Sequence, residues 1–333
     1  MHESTDLKTA AKGENNPVTI ADLRVQKTIE VCLNTIYPTL NVMGEESKES
    51  IADIEPTIQP EVFTDAIKSF IKTDFLNSSY EGRRDWIEGQ LRQHYDEDDI
   101  SPNGFETFNT KDAVIWIDPL DGTSDFVKGN LPAVTVLIGL SIKNRSRLGI
   151  VHNPFTEEDE QFGKTLFGSA EHGCFKVDYD RNGSVEDQLS REIHYMEPFN
   201  LEEPDADHTI AVAASLSHFS DTIKEVLSSL DPVEVKRIGG AGNKVCNLAL
   251  ANVDCYIHPS PGLMHWDLCA PESLVKGMGG WATNLYQERL RYPINAPNFK
   301  LKGLICAKHP PMYSLIKSRM GSVLVNIATK VKL

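Results

Sequence analysis

The sequence predicts a layered fold of the α/β or α+β class. Apolar, strand-like segments alternate with amphipathic, helix-like ones, and no internal repeat or low-complexity linker interrupts them. The chain has 333 residues, of which 40% are hydrophobic and 24% are charged, as in an ordinary globular protein. Because a single core rarely extends over this length, we expect two subdomains.

The first third of the chain predicts one helix, one short strand and a long polar insertion. Residues 22–37 carry apolar side chains at helical spacing and end before Pro38, which cannot continue a helix. Residues 41–43 are short and apolar, as in a strand. Residues 48–111 are polar and mixed, with helix-like stretches at 62–72 and 86–94, and are typical of an insertion.

The remaining two thirds alternate strands and helices. β-branched and aromatic residues mark the strands, and amphipathic spacing marks the helices. The predicted strands are 113–117 (ending at Asp118), 134–142, 147–152, a pair within 163–177, 208–214, 235–238 and 253–258, and the predicted helices are 219–230, 244–251 and 267–278. Glu, Pro and Asp accumulate at 195–207, so we expect the subdomains to be 1–195 and 196–333.

The charge balance excludes several classes of partner. The 33 Lys and Arg residues against 48 Asp and Glu residues leave a net charge of −15, whereas a nucleic-acid polymer or an anionic membrane attracts a basic surface. The longest apolar run, residues 131–140, is too short to cross a bilayer. We therefore expect neither partner, while a small phosphorylated substrate held through a metal ion stays compatible with this charge.

The cysteines and the N-terminus indicate the compartment. Six cysteines are scattered without a C-x-x-C pair, and several lie in apolar stretches, which favours buried thiols in a reducing compartment over disulfides. The N-terminal residues 1–16 are polar and lack the apolar core of a secretory signal. We expect a cytoplasmic protein, acting as a monomer or a homodimer.

Carboxylates occur in four places where predicted strands end or helices begin, namely Asp22, Glu45-Glu46, Asp118 with Asp121, and Asp267. Residues 118–123 read Asp-Pro-Leu-Asp-Gly-Thr and are the most informative. Two carboxylates three positions apart on a turn, with the Leu120 carbonyl between them, form an oxygen-only set that suits Mg²⁺. Gly122 permits a tight turn, and Thr123 then begins a helix whose free N–H groups favour a phosphate.

Each of these carboxylates also has an ordinary structural explanation. The acidic turn fits a solvated loop with a capping Asp, and Glu45-Glu46 fits a solvated pair. Asp267 before an apolar helix fits an N-cap, and Asp22 within a helix fits a surface carboxylate. Taken alone, none of them identifies a site.

Three segments carry a family resemblance when they are considered in order. They are residues 44–47 (GEES), 118–123 (DPLDGT) and 266–272 (WDLCAPE). Together they resemble the signatures of the lithium-sensitive, Mg²⁺-dependent phosphomonoesterases, a superfamily that includes inositol monophosphatases, fructose-1,6-bisphosphatases and bisphosphate nucleotidases. The resemblance extends over about residues 15–320. It implies an alternating αβαβα sandwich, two or three Mg²⁺ ions, and inhibition by Li⁺.

The resemblance also implies the residues of the site. The implied metal ligands are Glu45, Asp118, the Leu120 carbonyl, Asp121 and Asp267. The implied catalytic pair, which orients and deprotonates the attacking water, is Asp22 and Thr123. The implied substrate contacts are Gly122, Thr123, Ser215, His218, Gly240 and Lys244.

Residues 237–244 and 259–262 are most similar to the bisphosphate nucleotidase branch. That branch implies hydrolysis of the 3'-phosphate of 3'-phosphoadenosine 5'-phosphate to AMP and phosphate, with 3'-phosphoadenosine 5'-phosphosulfate as a second candidate substrate. One alternative is an inositol polyphosphate 1-phosphatase acting on inositol 1,4-bisphosphate, or an enzyme with both activities. Another is a catalytically silent, Mg²⁺-dependent sensor of phosphorylated ligands.

Overall fold

The computed structural model describes residues 10–11, 17–58, 83, 85–87, 91–93, 95, 108–156, 162–184, 187–188, 191–215, 220–296 and 298–331. The helix predicted at 62–72 and the candidate residue His218 lie outside the described residues. The helix predicted at 86–94 is described only in part, with a 3₁₀ turn at Leu91–Gln93. The described part contains two mixed sheets covered by helices, which confirms the predicted fold class.

Among the described residues, the larger sheet has seven strands. A short antiparallel pair, β1 (Ala10–Ala11) and β2 (Pro17–Val18), precedes it. The strands of the larger sheet are hydrogen-bonded in chain order. They are β3 (Asn41–Gly44), β4 (Ala113–Asp121), β5 (Thr135–Ile142), β6 (Arg145–Asn153), β7 (Phe162–Ser169), β8 (Gly173–Asp180) and β9 (His194–Met196). β3 and β4 run parallel, and the later pairs run antiparallel. The carboxyl ends of β3 and β4 therefore meet at one edge of the sheet.

The second sheet has five strands in the part of the chain that the structure describes. They are β10 (Ile210–Ser215), β11 (Val233–Ile238), β12 (Cys255–His258), β13 (Trp281–Thr283) and β14 (Leu304–Ala307), in the spatial order β11-β10-β12-β14-β13. β10 is parallel to both β11 and β12, whereas β14 is antiparallel to β12 and β13. The carboxyl ends of β10 and β11 also meet at one edge.

Helices pack between and around the sheets. They are α1 (Ile20–Ile36), α2 (Thr123–Val127), α3 (Asp221–Ser229), α4 (Ala241–Ala249), α5 (His265–Gly277) and α6 (Pro310–Val331), with further 3₁₀ turns at Thr110–Asp112 and Leu131–Ala133. α6 is kinked at Gly321. α5 packs against β4 to β8 of the first sheet and also against α4 and β13, and residues 268–277 of this helix are all buried. It is the central element of the molecule.

The strand predicted at 113–117 continues to Asp121, so the expected end at Asp118 is wrong. Asp118 pairs with Leu137 and Asp121 pairs with Thr135, so three steps along β4 correspond to two steps along β5. This bulge accommodates Pro119, which has no N–H to give to the strand ladder.

The start of α4 also differs from the prediction. The helix begins at Ala241, three residues before the predicted start at Lys244. In the sequence, Gly240 and Gly242 are typical of a turn. In the structure, a carboxylate on β4, described below, accepts the first N–H groups of α4, and the helix therefore begins earlier. The other predicted strands and helices within the described residues are confirmed, with ends shifted by a few residues.

Three further expectations concern the cysteines, the membrane and the division into subdomains. All six cysteines are buried and free, which confirms the prediction of thiols. Within the described ranges, no helix combines the length and the apolar character that crossing a membrane requires. The strands before residue 197 and after residue 209 belong to different sheets, but α5 packs on both halves. The division into 1–195 and 196–333 therefore stays a prediction.

Candidate active site

The last residues of β4 hold Asp118 and Asp121 inside the protein. These residues are 2% and 8% exposed, and the backbone N–H of Leu120 donates to Asp118 Oδ1 at 3.1 Å. Gly122 follows with φ = 87°, a left-handed conformation that favours glycine, and turns the chain into α2. Both carboxylates of the motif are thus buried, unlike those of an ordinary solvated turn.

Asp22 and Thr123 are in contact although they lie far apart in the sequence. Thr123 Oγ1 is 3.3 Å from Asp22 Oδ1 and 2.9 Å from the Leu120 carbonyl oxygen. Asp22 is the third residue of α1 and is 1% exposed. Its Oδ2 accepts the N–H and the hydroxyl of Thr19 at 2.7 and 2.6 Å. Asp22 is therefore a buried, oriented carboxylate rather than a surface residue.

Glu45 follows β3, beside the end of β4. Its backbone N–H donates to the Ile117 carbonyl oxygen at 3.0 Å, which extends the pairing of the two strands. The next residue, Glu46, is buried, and the side-chain amide of Gln26 bonds both its N–H and its carbonyl oxygen at 2.8 Å. The half-buried side chain of Glu45 therefore starts from a fixed backbone.

Asp267 brings a carboxyl from the second half of the chain. It is the third residue of α5 and accepts the N–H of Met264 at 2.8 Å, the same helical position and bond that Asp22 has in α1. Its side chain also lies near enough to Asp118 for the two carboxyls to influence each other's protonation. The first turn of α5 thus meets the end of β4.

The pKa values of Asp118 and Asp267 lie well above the ordinary range for aspartate. Burial is the largest cause in both cases, because a charged carboxylate is poorly solvated inside a protein. The nearby negative charges of Asp121 and Glu45 raise both values further. This excess of negative charge is what a bound cation would relieve.

The chemistry of these side chains fits a hard divalent cation, since every donor is a carboxylate or carbonyl oxygen. As they stand, no three His, Cys, Asp or Glu side chains among the described residues are grouped closely enough to hold a metal ion. Asp121 is one reason why the carboxyls do not converge, because protein groups already bond both of its oxygens. Its Oδ1 accepts the N–H of Ala241 at 2.9 Å, and its Oδ2 accepts the N–H of Gly242 at 2.7 Å and the hydroxyl of Thr135 at 2.9 Å. The carboxyls interact electrostatically, but some of their oxygens are engaged by the protein.

The turn before α4 brings Gly240 and Lys244 close to Asp121. Gly240 has φ = 67°, and a Cβ atom there would lie 2.9 Å from Asp121 Oδ2. Lys244 is 5% exposed, and its Nζ donates to the Gly240 carbonyl oxygen at 2.7 Å and lies 5.2 Å from the centre of the Tyr256 ring. Lys244 is therefore a buried cation beside the carboxylates, not a solvated lysine.

Ser215 ends β10 and pairs with Ile238 of β11. Its carbonyl oxygen accepts Arg237 Nη1 at 2.7 Å. Because β10 and β11 are parallel, Ser215 lies at the same sheet edge as the turn before α4. Contact of Ser215 with a substrate, like that of His218, stays a prediction.

Thr19, Thr135 and Gln26 support the site but did not stand out in the sequence. Thr19 and Asp22 have the T-x-x-D spacing of a capping box, which was a readable signal. Thr135 bonds Asp121 from the neighbouring strand, and Gln26 bonds the backbone of Glu46 from α1. These two contacts depend on the tertiary fold, so nothing in the local sequence indicates them.

The chain is similar to several known proteins. Mouse 3'(2'),5'-bisphosphate nucleotidase 1 is 27% identical over 277 residues, which cover 80% of this chain and 82% of the mouse protein. The protein of the same name from Dictyostelium discoideum is 25% identical over 330 residues, which cover 96% and 90% of the two chains. The crystal structure of inositol monophosphatase-II from Staphylococcus aureus is similar in fold, with a TM-score of 0.56 at 14% identity over 93% of this chain and 84% of that one.

The family itself follows from a match along nearly the whole sequence. Residues 1–319 match the sequence model of the inositol monophosphatase family. Enzymes of this family are generally metal-dependent, in keeping with the oxygen-only cluster of carboxyls. The relatives and the family together indicate a phosphoric monoester hydrolase. The chain therefore belongs to the inositol monophosphatase family.

Proposed function

We propose that the chain is a Mg²⁺-dependent 3'(2'),5'-bisphosphate nucleotidase. It hydrolyses the 3'-phosphate of 3'-phosphoadenosine 5'-phosphate to AMP and phosphate, with 3'-phosphoadenosine 5'-phosphosulfate as a second substrate. The observation that carries the proposal is the contact of the Thr123 hydroxyl with Asp22, together with the buried, mutually interacting carboxyls of Asp118 and Asp267. Alignment of the nucleotidase relatives with 80% and 96% of the chain supports the substrate class.

Two or three Mg²⁺ ions are part of this proposal. Their ligands are Glu45, Asp118, the Leu120 carbonyl, Asp121 and Asp267. Bound Mg²⁺ supplies positive charge that lowers the pKa of water and stabilises the leaving oxygen. The raised pKa values of Asp118 and Asp267 support the assignment, because clustered carboxylates ionise together most readily when a cation balances them. Inhibition by Li⁺ would follow from competition for the same oxygens.

Thr123 and Asp22 orient the attacking water and accept its proton. The Thr123 hydroxyl has one hydrogen and two acceptors within reach, Asp22 and the Leu120 carbonyl. Since the carbonyl is a proposed metal ligand, Asp22 becomes the preferred acceptor, and a lone pair of Thr123 Oγ1 is left for the water. Fixing the water in line matters because phosphoryl transfer depends on positioning and charge more than on covalent chemistry.

The substrate side of the proposal uses Gly122, Thr123, Ser215, His218, Gly240 and Lys244. Lys244 is a buried cation near the carboxyl cluster, suited to the phosphate that is not cleaved.

The remaining details belong to the same proposal. Six free, buried thiols favour a cytoplasmic location, where the reducing environment preserves them. The enzyme acts as a monomer or a homodimer. An inositol polyphosphate 1-phosphatase and an enzyme with both activities remain the rival functions, since they would use the same carboxyls with a different leaving group.

The test is a substrate panel read by released phosphate. Wild-type protein is assayed at equal Mg²⁺ with 3'-phosphoadenosine 5'-phosphate, its phosphosulfate analogue and inositol 1,4-bisphosphate, with and without Li⁺. We expect the adenosine bisphosphate to be cleaved fastest and Li⁺ to inhibit its cleavage. Faster cleavage of inositol 1,4-bisphosphate would show that the assigned branch is wrong.

Asp118→Asn is the matched variant for this panel, because it keeps the size of the side chain and removes its charge. We expect it to abolish turnover and weaken Mg²⁺ binding while the circular dichroism spectrum stays unchanged. Full activity of the variant would overturn the metal assignment. Wild-type protein that binds the phosphorylated ligands without cleaving them would instead be a sensor.

A further inference from the structure

A buried polar network holds the middle of α5. Lys276 Nζ lies 3.3 Å from Glu272 Oε1, and the two side chains are 3% and 2% exposed. The Tyr292 hydroxyl donates to the other oxygen, Glu272 Oε2, at 2.6 Å, and Tyr292 is itself fully buried. The helix that carries Asp267 is therefore fixed by an ion pair and a tyrosine hydroxyl that water barely reaches.

The same region of α5 is tied to the start of β6. Lys276 Nζ donates to the Ser146 carbonyl oxygen at 3.2 Å, and the Ser146 hydroxyl donates to the Cys269 carbonyl oxygen at 2.7 Å. The backbone N–H of Tyr292 donates to the Asn144 carbonyl oxygen at 2.9 Å, next to that strand. Tyr292 and α5 are thus anchored to the same turn of the first sheet.

Such a network is an unusual way to stabilise a helix. Removing two charges from water is costly, and an apolar pair of similar size would stabilise a core equally well or better. Hydrogen bonds depend on direction, whereas apolar contacts do not. They therefore fix the rotation of α5 about its own axis and its position along that axis. The network therefore specifies where α5 lies.

The ring of Tyr292 continues this fixation to the site. It packs against His265, the first residue of α5, with ring centres 5.4 Å apart. His265 in turn meets the Trp116 ring of β4 edge-on at 4.9 Å. His265 precedes Asp267 by two residues, and Trp116 precedes Asp118 by two residues. A continuous set of contacts therefore links Tyr292 to the backbones that carry both carboxyls.

We propose that Tyr292 and Glu272 are positioning residues that set the separation of Asp118 from Asp267, and through it the affinity of the site for a divalent cation. Neither residue touches the substrate. The inference rests on the proposed function in one respect, that Asp118 and Asp267 are metal ligands. Loss of the Tyr292 hydroxyl removes one of the bonds that hold the middle of α5 and leaves those of Ser146, so that Asp267 is held less firmly against β4.

The experiment compares Tyr292→Phe with Tyr313→Phe. Tyr313 is also a buried tyrosine whose hydroxyl bonds a side chain, that of Thr283 at 2.8 Å, but it lies on α6 and packs in the other core. Both variants lose one buried hydroxyl, so both should be somewhat less heat-stable than wild type. Binding of Mg²⁺ to the metal-free proteins is measured directly by isothermal titration calorimetry, which requires neither substrate nor turnover.

We expect the dissociation constant for Mg²⁺ to rise by about tenfold in Tyr292→Phe, the usual lower end for removing a residue that orients a metal ligand. Tyr313→Phe should keep the wild-type value. Equal Mg²⁺ affinity in the wild type and both variants would overturn the positioning role alone. A wild-type chain that binds no Mg²⁺ would overturn the metal site itself and this inference with it.

Discussion

Lys244 has a buried, positively charged side chain that also forms a hydrogen bond inside the protein. Burial lowers the pKa of its ammonium group, and three nearby carboxylates act in the opposite direction by stabilising the charge. These carboxylates belong to Asp121, Asp125 and Asp267. The Nζ atom donates to the Gly240 carbonyl oxygen, so part of its hydrogen-bonding capacity is used inside the protein. Two further hydrogens on the ammonium group are available for a phosphate.

Lys244→Met should separate substrate binding from chemistry, because methionine keeps the apolar part of the side chain and removes the charge. We expect KM for the adenosine bisphosphate to rise by about tenfold, as for the loss of one charge-assisted contact, with a smaller change in kcat. Steady-state kinetics at saturating Mg²⁺ measures both. Lys317→Met is the control, since Lys317 lies on α6 and its Nζ is 5.6 Å from the centre of the Tyr313 ring, much as Lys244 Nζ is 5.2 Å from that of Tyr256. A fall in kcat alone would contradict the proposed role of Lys244.

The turn from β11 into α4 is held in place by its contacts with β4 and with the loop that follows β4. Asp121 on β4 accepts the first N–H groups of α4, which a helix leaves without partners of its own. Gly240 is held against β4 and the following loop, since a Cβ atom there would lie 2.5 Å from the Ala133 carbonyl oxygen. The turn therefore depends on glycine both for its positive φ and for its close approach.

Gly240→Ala tests this docking, and Gly129→Ala is the matched control. Both glycines have positive φ, 67° and 79°, but a Cβ atom at Gly129 meets nothing within 4 Å. The positive φ should cost each variant about 1–3 kcal/mol of stability, and Gly240→Ala the more, because its ψ of 142° lies outside the left-handed helical region. Only Gly240→Ala should also lose most of its activity, because the new methyl group displaces Asp121 or the turn. Urea unfolding and phosphate release measure the two effects, and equal activities of the two variants would refute the docking argument.

Elements were more predictable than their boundaries. Helix α1 and strands β5 and β6 follow from periodicity alone, since each has one consistent apolar pattern. The continuation of β4 through Pro119 was not predictable, because proline normally ends a strand and only the register with β5 shows the bulge. The early start of α4 was not predictable either. The carboxylate that accepts its first N–H group belongs to Asp121, which is 120 residues away in the sequence.

At the scale of the whole molecule, the carboxyls come from different parts of the chain that the fold brings together. Asp22 lies on α1, Asp118 and Asp121 on β4, and Asp267 on α5. Asp118, Asp121 and Asp267 lie in segments that carry the family resemblance, whereas Asp22 was indicated only by what that resemblance implies. Glu272 falls within the signature at 266–272, but the sequence could not indicate its partner Tyr292, which lies in a segment after β13. Residues that position a site are thus harder to predict than residues that form it.

Acid stability is a further property of the whole molecule, because three histidines are kept neutral by burial. The pKa values of His152, His265 and His309 are each lowered to about 4, with desolvation as the largest cause. His309 also needs its neutral form, since its Nδ1 accepts the N–H of Met312 at 3.0 Å in the first turn of α6. Between pH 6.5 and 4 the unfolded chain therefore binds more protons at these sites than the folded chain does.

His309→Asn isolates one of these contributions, because asparagine can cap the helix in the same way and does not titrate. A histidine whose pKa is depressed on folding contributes its full stability above pH 6.5 and loses it as the pH falls towards 4. The free energy of unfolding of the wild type should therefore fall relative to the variant by at most about 3 kcal/mol over this range. Urea unfolding at several pH values between 7.5 and 4 measures the difference. Parallel pH profiles would show that His309 is equally protonated in the folded and unfolded chains, and that its contact with Met312 does not require the neutral ring.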